Sequence, residues 1–196
     1  MSEVANHKIR NLMKPIIELL SGIPSVVYGF FGLIVIVPFL QKVFDLPVGE
    51  SGLAGSIVLA IMALPTIITV TEDAMRNCPR AMREASLALG ASQWQTIYKV
   101  VIPYSISGIT SGVVLGIGRA VGETMAVLMV TGNAAVIPHT ILEPLRTIPA
   151  TIAAELGEAP AGGAHYEALF LLGVVLFFIS LLINFTVEAV SSGKRK

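Results

Sequence analysis

Arg119 and Glu123 are the residues whose types and setting point most directly to chemistry. They lie in GIGRAVGETMAVLMVTGN, residues 116–133, inside a long apolar stretch. A charged side chain at the centre of a bilayer costs about 2.5–3.5 kcal/mol even on a lenient insertion scale. Four residues apart on a helix, the two share a face and can neutralise each other. A structural ion pair is the plain alternative, but a buried pair is often no more stable than apolar replacements. The guanidinium stays charged at any cellular pH, and its planar fork can give a tetrahedral oxyanion two parallel hydrogen bonds. Glu123 would hold Arg119 between anions and compete with each anion for it, which favours release along a pathway. Thr124, the next residue, joins the pair as a candidate pathway residue.

The surrounding composition is that of an integral membrane protein. Hydrophobic residues make up 54% of the 196 and charged residues 13%, with mean hydropathy +0.79. A soluble domain carries roughly twice that charged fraction. One cysteine, Cys78, excludes an internal disulfide and a cysteine-cluster metal site, and no metal is expected. Four stretches approach the ~20 residues a bilayer core requires: 23–44, 53–70, 106–129 and 168–187. The first has Gly29 and Gly32 on one face and Pro24 and Pro38 near its ends. Pro65 should kink the second, with Thr66 and Thr69 taking up freed carbonyls. In the third, Gly108, Gly112 and Gly116, and again Gly118 and Gly122, are spaced by four, so neighbouring backbones can approach closely. The fourth has neither proline nor charge in its apolar core and reads as lipid-facing. Ahead of them, residues 2–20 carry charges at positions 8, 10, 14 and 18 that are incompatible with a signal peptide. Ile9, Leu12, Met13, Ile16 and Leu20 recur at helical spacing opposite those charges, predicting an amphipathic helix in the membrane interface.

Between the second and third spans lies EASLALGASQWQTIYKVVIP, residues 84–103. Asn77 and Pro79 open a helix, Gly90 can take the left-handed conformation that ends it, and Ser92 with Gln95 forms a capping box. A second short helix then runs from Gln93 to about Val100, before Pro103 forces a new boundary. Two short helices meeting at a glycine make a bent knob. This stretch resembles the cytoplasmic coupling loop of ABC-importer permeases, whose pattern is E-A-A, three residues, G, nine residues, I-x-L-P. Glu84, Ala85, Gly90 and Pro103 match; Ser86, Val100 and Ile102 replace Ala, Ile and Leu. RAVGETMAVLMVTGN at 119–133, IPSVVYGFFG at 23–32 and TIPATIAAELGEA at 147–159 extend the resemblance to phosphate-specific permeases of the C type (PstC-like), from about residue 15 to 185.

The resemblance implies an all-α polytopic helix bundle of the type I, MetI-like permease class. It would comprise one permease domain over 1–196, with a lead-in at 1–21, a coupling loop at 76–103 and an external loop at 131–167. It further implies a subunit of an ATP-driven phosphate importer of the prokaryotic plasma membrane, not itself an enzyme. Glu84, Ala85, Ser86, Gly90, Ala91, Trp94 and Pro103 would meet a partner ATPase. No cofactor would be bound by this chain, ATP and magnesium belonging to the ATPase (PstB-like) dimer. A second permease (PstA-like) and an extracytoplasmic phosphate-binding protein (PstS-like) complete the assembly; no nucleic acid is involved. Permeases of this type carry two further spans ahead of the matched region, so the chain reads as N-terminally short.

Charge placement agrees independently. Ten of the thirteen Lys and Arg precede the first span, lie in the central loop or follow the last span, whereas Lys42 and Arg146 lie opposite. The positive-inside rule puts both termini and the knob in the cytoplasm. Pro103 leads within sixteen residues to Arg119, about 24 Å along one helix, so the knob reads as the input of a lever whose output is the charged pair. His139, Arg146 and His165 read as solvated loop residues rather than anion ligands. A permease for sulfate or molybdate, or an ion-coupled secondary transporter or channel fragment, would suit the charged pair as well. An intramembrane hydrolase would not: the three histidines fall outside the spans, and neither G-x-S-x-G nor a Walker A sequence occurs.

Overall fold

A computed structural model describes residues 7–192; Lys194, Arg195, Lys196 and the first six residues of the chain lie outside the described part. The helices are α1 (His7–Gly22), α2 (Ser25–Val43), α3 (Gly52–Arg76), α4 (Arg80–Ala88), α5 (Gln93–Val121), α6 (Met125–Val130), α7 (Ile148–Glu155) and α8 (Ala164–Ser192). Among the described residues, four are long and apolar enough to cross a membrane: α2, α3, α5 and the 164–186 part of α8. That is the expected number, with different limits for the third.

The third span departs from expectation at both ends. There is no separate short helix closed off by Pro103. The backbone passes from an α-helical turn at Gln93–Thr96 through a π-helical turn at Ile97–Val101 into the α-helix Ile102–Val121. The reason is local. A proline within a helix clashes with the carbonyl four residues back, here that of Lys99, which lies in the wider π turn. The Ile102 amide reaches back five residues to the Ile97 carbonyl. The same device recurs in α2, where a π turn at Gly32–Ile36 precedes Pro38 and the Val37 amide bonds the Gly32 carbonyl. Pro65 lies in a continuous helix, and Thr69 Oγ1 donates to the carbonyl of Pro65 itself (2.9 Å), not to that of Ile61, which the ring frees.

The described chain gathers into two compact units. The first comprises α1, Leu64–Ile117 and residues 183–192. In it Ile17, outside the predicted apolar stripe, is buried, while Leu12, Ile16 and Leu20 remain exposed. The close approach expected at Gly108 and Gly112 forms, and the neighbour is α3. A Cβ on Gly108 would strike Ala74, one on Gly112 would stand 3.2 Å from Val70 Cβ, and Ser105 Oγ donates to the Ala74 carbonyl (3.0 Å).

The second unit comprises Ile23–Ala63 and Gly118–Leu182. Its core joins Tyr28, Ile36 and Leu40 of α2, Ala54 and Val58 of α3, and Ala126 and Val130 of α6. Ser51 is fully buried and accepts the Ala54 amide on its hydroxyl (3.2 Å), capping α3. Gly29 and Gly32 admit α6. A Cβ on Gly29 would lie 2.8 Å from Ala126 Cα, and one on Gly32 2.7 Å from Val58 Cγ2 and 2.8 Å from Val130 Cγ1. Overpacking of this kind costs about 1–3 kcal/mol. Gly32→Ala is therefore expected to lower the melting temperature in detergent. Gly173→Ala, where no atom lies within 4 Å of the added carbon, should be neutral or slightly stabilising. Equal shifts for the two would refute the close approach.

Candidate functional site

The apolar stretch 106–129 is not one helix. The Gly122 amide bonds the Gly118 carbonyl and the Glu123 amide the Ala120 carbonyl, both at 3.3 Å; the helix then stops, and α6 restarts at Met125. Glu123 therefore leaves the helical register it was expected to share with Arg119. Its Oε1 accepts the Ala126 amide at 3.3 Å, satisfying one of the orphan donors at the start of α6, where a negative charge is also favoured. Thr124 occupies the N-cap position without capping; its Oγ1 donates to the Gly122 carbonyl (3.3 Å). Arg119 is half-buried in the last turn of α5.

The break opens onto a cleft of about 500 Å³ lined by Gly122 and Thr124 together with Pro149, Ile152, Ala153 and Leu156. Of the three predicted pathway residues, Thr124 lines this cleft and Arg119 and Glu123 do not. The far wall is α7, with Thr147 at its N-cap and Pro149 in its first turn. Sequence reasoning missed what holds α7. Arg146, expected to be solvated, is one-fifth exposed; it donates through Nε to the Asn133 carbonyl (3.0 Å) and pairs through Nη1 with Glu155 Oε1. His165 Nε2 meets the other oxygen of Glu155 at 3.1 Å. Three residues from the loop, from α7 and from the start of α8 thus converge. At the loop tip the His139 amide donates to Glu143 Oε2 (2.7 Å), which holds the Glu143 carboxyl below the usual carboxylate range.

The knob forms much as its residues dictate. Pro79 precedes α4, and Gly90 has φ +82° just past its end. The Gly90 amide bonds the Leu87 carbonyl (2.9 Å) and the Ala91 amide the Ser86 carbonyl (3.2 Å), which is the Schellman pattern. Ser92 and Gln95 exchange the capping-box bonds at 2.9 and 3.3 Å. Ser86 Oγ meets Thr96 Oγ1 at 3.0 Å across the bend. Glu84, Ala85, Gly90, Trp94 and Pro103 are exposed, while Ser86 and Ala91 are half-buried. Leu89 and Trp94 are 89% and 70% exposed, a large apolar surface for a loop.

Residues 2–196 match the family described as binding-protein-dependent transport system inner membrane component. The chain belongs to that family. It is 42% identical over its whole length to a probable ABC transporter permease, YqgH, of Bacillus subtilis, covering 63% of that protein. It is 38% identical, over 93% of its length and 62% of the relative's, to the phosphate transport system permease PstC of Mesorhizobium japonicum. With PstC 1 of Mycobacterium bovis it shares 39% identity over 86% of this chain and 56% of the relative. The chain thus spans about three-fifths of the length of these curated relatives, which are transport permeases by name. In fold it resembles the inward-facing MetNI methionine ABC transporter, with TM-score 0.67 and 21% identity over 95% of this chain and 78% of that one.

Glu123→Gln keeps an acceptor for the Ala126 amide, whereas Glu123→Ala removes it. Loss of such a cap costs about 1 kcal/mol, so the alanine variant should melt lower than the glutamine variant in detergent. If the two melt alike, the cap has no structural weight.

Proposed function

We propose that this chain is the transmembrane permease of an ATP-driven importer for inorganic phosphate. The observation that carries the reading is the exposed knob at 80–96, bent by a Schellman turn and a capping box, which continues as one helix into the membrane-embedded Arg119, in a chain of this family. The names of its relatives supply the substrate. The knob is the docking element for a separate ATPase dimer, so ATP and magnesium are handled there and this chain catalyses no reaction. Both termini and the knob face the cytoplasm, as the basic residues favour. A second permease subunit provides the other wall of the pathway, and an extracytoplasmic phosphate-binding protein docks at 131–167.

Within the chain, Arg119 offers a charge that a tetrahedral oxyanion can pair with, and Thr124 offers a hydroxyl at the wall of the cleft. Glu123 supplies a neighbouring negative charge whose position is set by the start of α6.

The test is ATP-dependent uptake of radiolabelled phosphate by the assembled complex in liposomes, with sulfate as competitor. Hydrogen bonds to a charged group contribute about 1.5–3 kcal/mol, so Arg119→Gln should slow uptake roughly ten- to a hundredfold while inserting normally. Uptake at the wild-type rate in that variant would remove Arg119 from the pathway. Competition by sulfate at equal concentration would assign the site to oxyanions generally, and uptake without the ATPase would favour an ion-coupled transporter.

A further inference from the structure

In the proposed importer the outer surface of the knob meets the ATPase; its inner side carries a separate device. The last carbonyls of a helix have no partner within it. At the end of α3 the Asp73 carbonyl accepts the Asn77 amide at 3.1 Å and the Met75 carbonyl accepts the Cys78 amide at 3.3 Å. Two side chains from other helices add to these, on the Ala74 and Met75 carbonyls. Ser105 of α5 donates to the Ala74 carbonyl at 3.0 Å, and Arg83 of α4 sends Nη2 to the Met75 carbonyl at 2.7 Å. Arg83 is half-buried and lines a cavity of about 130 Å³ in the crook of the knob, with Leu87, Gln93, Thr96 and Ile97. A guanidinium at a helix C-terminus also meets the negative end of the helix dipole, which strengthens the bond.

We infer that Arg83 is a positioning residue that ties the knob to the cytoplasmic end of α3, so that movement of the knob is delivered to two spans rather than one. The knob reaches α5 through the backbone at Gln93 and through the Ser86–Thr96 contact. Its link back to α3 runs through Asn77, Cys78 and Pro79, three non-helical residues between Arg76 and Arg80. Such a link by itself leaves a pull on α4 free to be absorbed by rotation. The Arg83 bond bridges it, eight residues from the Met75 carbonyl. Ser105 then holds the same end of α3 to α5, closing a triangle of α3, α4 and α5. Without Arg83, the knob still docks and still drives α5, while α3 lags.

This rests on the importer reading, and the experiment separates the two. Phosphate uptake and ATP hydrolysis are measured in the same liposomes for the complete complex carrying wild-type chain, Arg83→Ala, Arg83→Lys or Ser105→Ala. The expected result is near-normal assembly and ATP hydrolysis in Arg83→Ala, with ATP consumed per phosphate rising about five- to tenfold. Lysine, which can also donate to the Met75 carbonyl, should restore most of the ratio. An unchanged ratio in Arg83→Ala overturns the inference, and so does a parallel loss of uptake and hydrolysis, which would make Arg83 a docking residue. If Arg83→Ala fails to assemble, Ser105→Ala decides, a raised ratio supporting the triangle and a normal one overturning it. If wild-type complex takes up no phosphate, the importer reading fails instead. The tether is then judged by amide hydrogen exchange over 80–88 in the assembled complex. Exchange that is faster in Arg83→Ala supports it; equal exchange overturns it.

Discussion

Lipid offers no hydrogen bonds, so a backbone amide or carbonyl freed inside a membrane span must find its partner in the protein. The irregularities at Pro38, at Pro103 and at the end of α5 are paired with such partners. Ahead of Pro38 and Pro103 the amides shift to the carbonyl five residues back, which opens the turn that the proline ring would otherwise strike. Where α5 stops at Val121, the carboxylate of Glu123 and the hydroxyl of Thr124 serve a neighbouring amide and carbonyl. Thr110 and Ser111 turn their hydroxyls back onto the carbonyls of Ile106 and Ser107 at 2.8 and 2.9 Å, so that polar side chains in an apolar helix remain satisfied. The interruption at 122–124 is stable because it is capped, and it supplies two of the residues that wall the cleft of the second unit.

This constraint explains which features were legible in the sequence. The knob could be read almost residue by residue, since a left-handed glycine and a capping box are decided within five or six neighbouring positions. The number of spans and the glycine faces at Gly29 and Gly32 and at Gly108 and Gly112 followed from composition and spacing, because a missing Cβ permits close approach whatever the partner. Gly32 and Gly108 both met one. The Gly118 and Gly122 face did not follow, since Gly122 lies past the helix end with only the chain's own preceding backbone nearby. The break in the third span was hidden for the opposite reason. Apolar content averaged over twenty residues is blind to a three-residue interruption, and Arg119 and Glu123 were given a helical register that the backbone does not keep. The signal was present in Gly122 followed by Thr124, a helix-stopping residue and an N-cap type two positions apart, within a run otherwise rich in Val, Met and Ala.

Long-range partners were beyond reach for a different reason. Nothing local distinguishes Arg146 from Lys42, yet one is bound to Asn133 and Glu155 while the other is exposed at the end of α2. Ile17 likewise falls outside the stripe drawn on α1, because which apolar face packs depends on its neighbours. The exposed side of α1, with Leu12, Ile16 and Leu19 bare, suits a helix that meets lipid as well as protein.

The most consequential difference lies at Pro103. A boundary there would have made the knob a loop element joined to the span by a hinge, and a hinge dissipates displacement. The π turn removes the hinge. From the Ser92 cap to Val121 the chain remains helical, a run on the order of 40 Å, so the second arm of the knob is the beginning of the span itself. Flexibility is left to the two places where the backbone departs from helix, Gly90 at one end and 122–124 at the other. Gly90 has φ +82° with open space around it, so its constraint comes from the Schellman bonds rather than from packing. At the other end two backbone hydrogen bonds of 3.3 Å are supplemented by one carboxylate and one hydroxyl. If the knob is the docking surface proposed above, movement enters beside the Gly90 bend and leaves at a joint where a carboxylate and a hydroxyl are within reach of a passing anion.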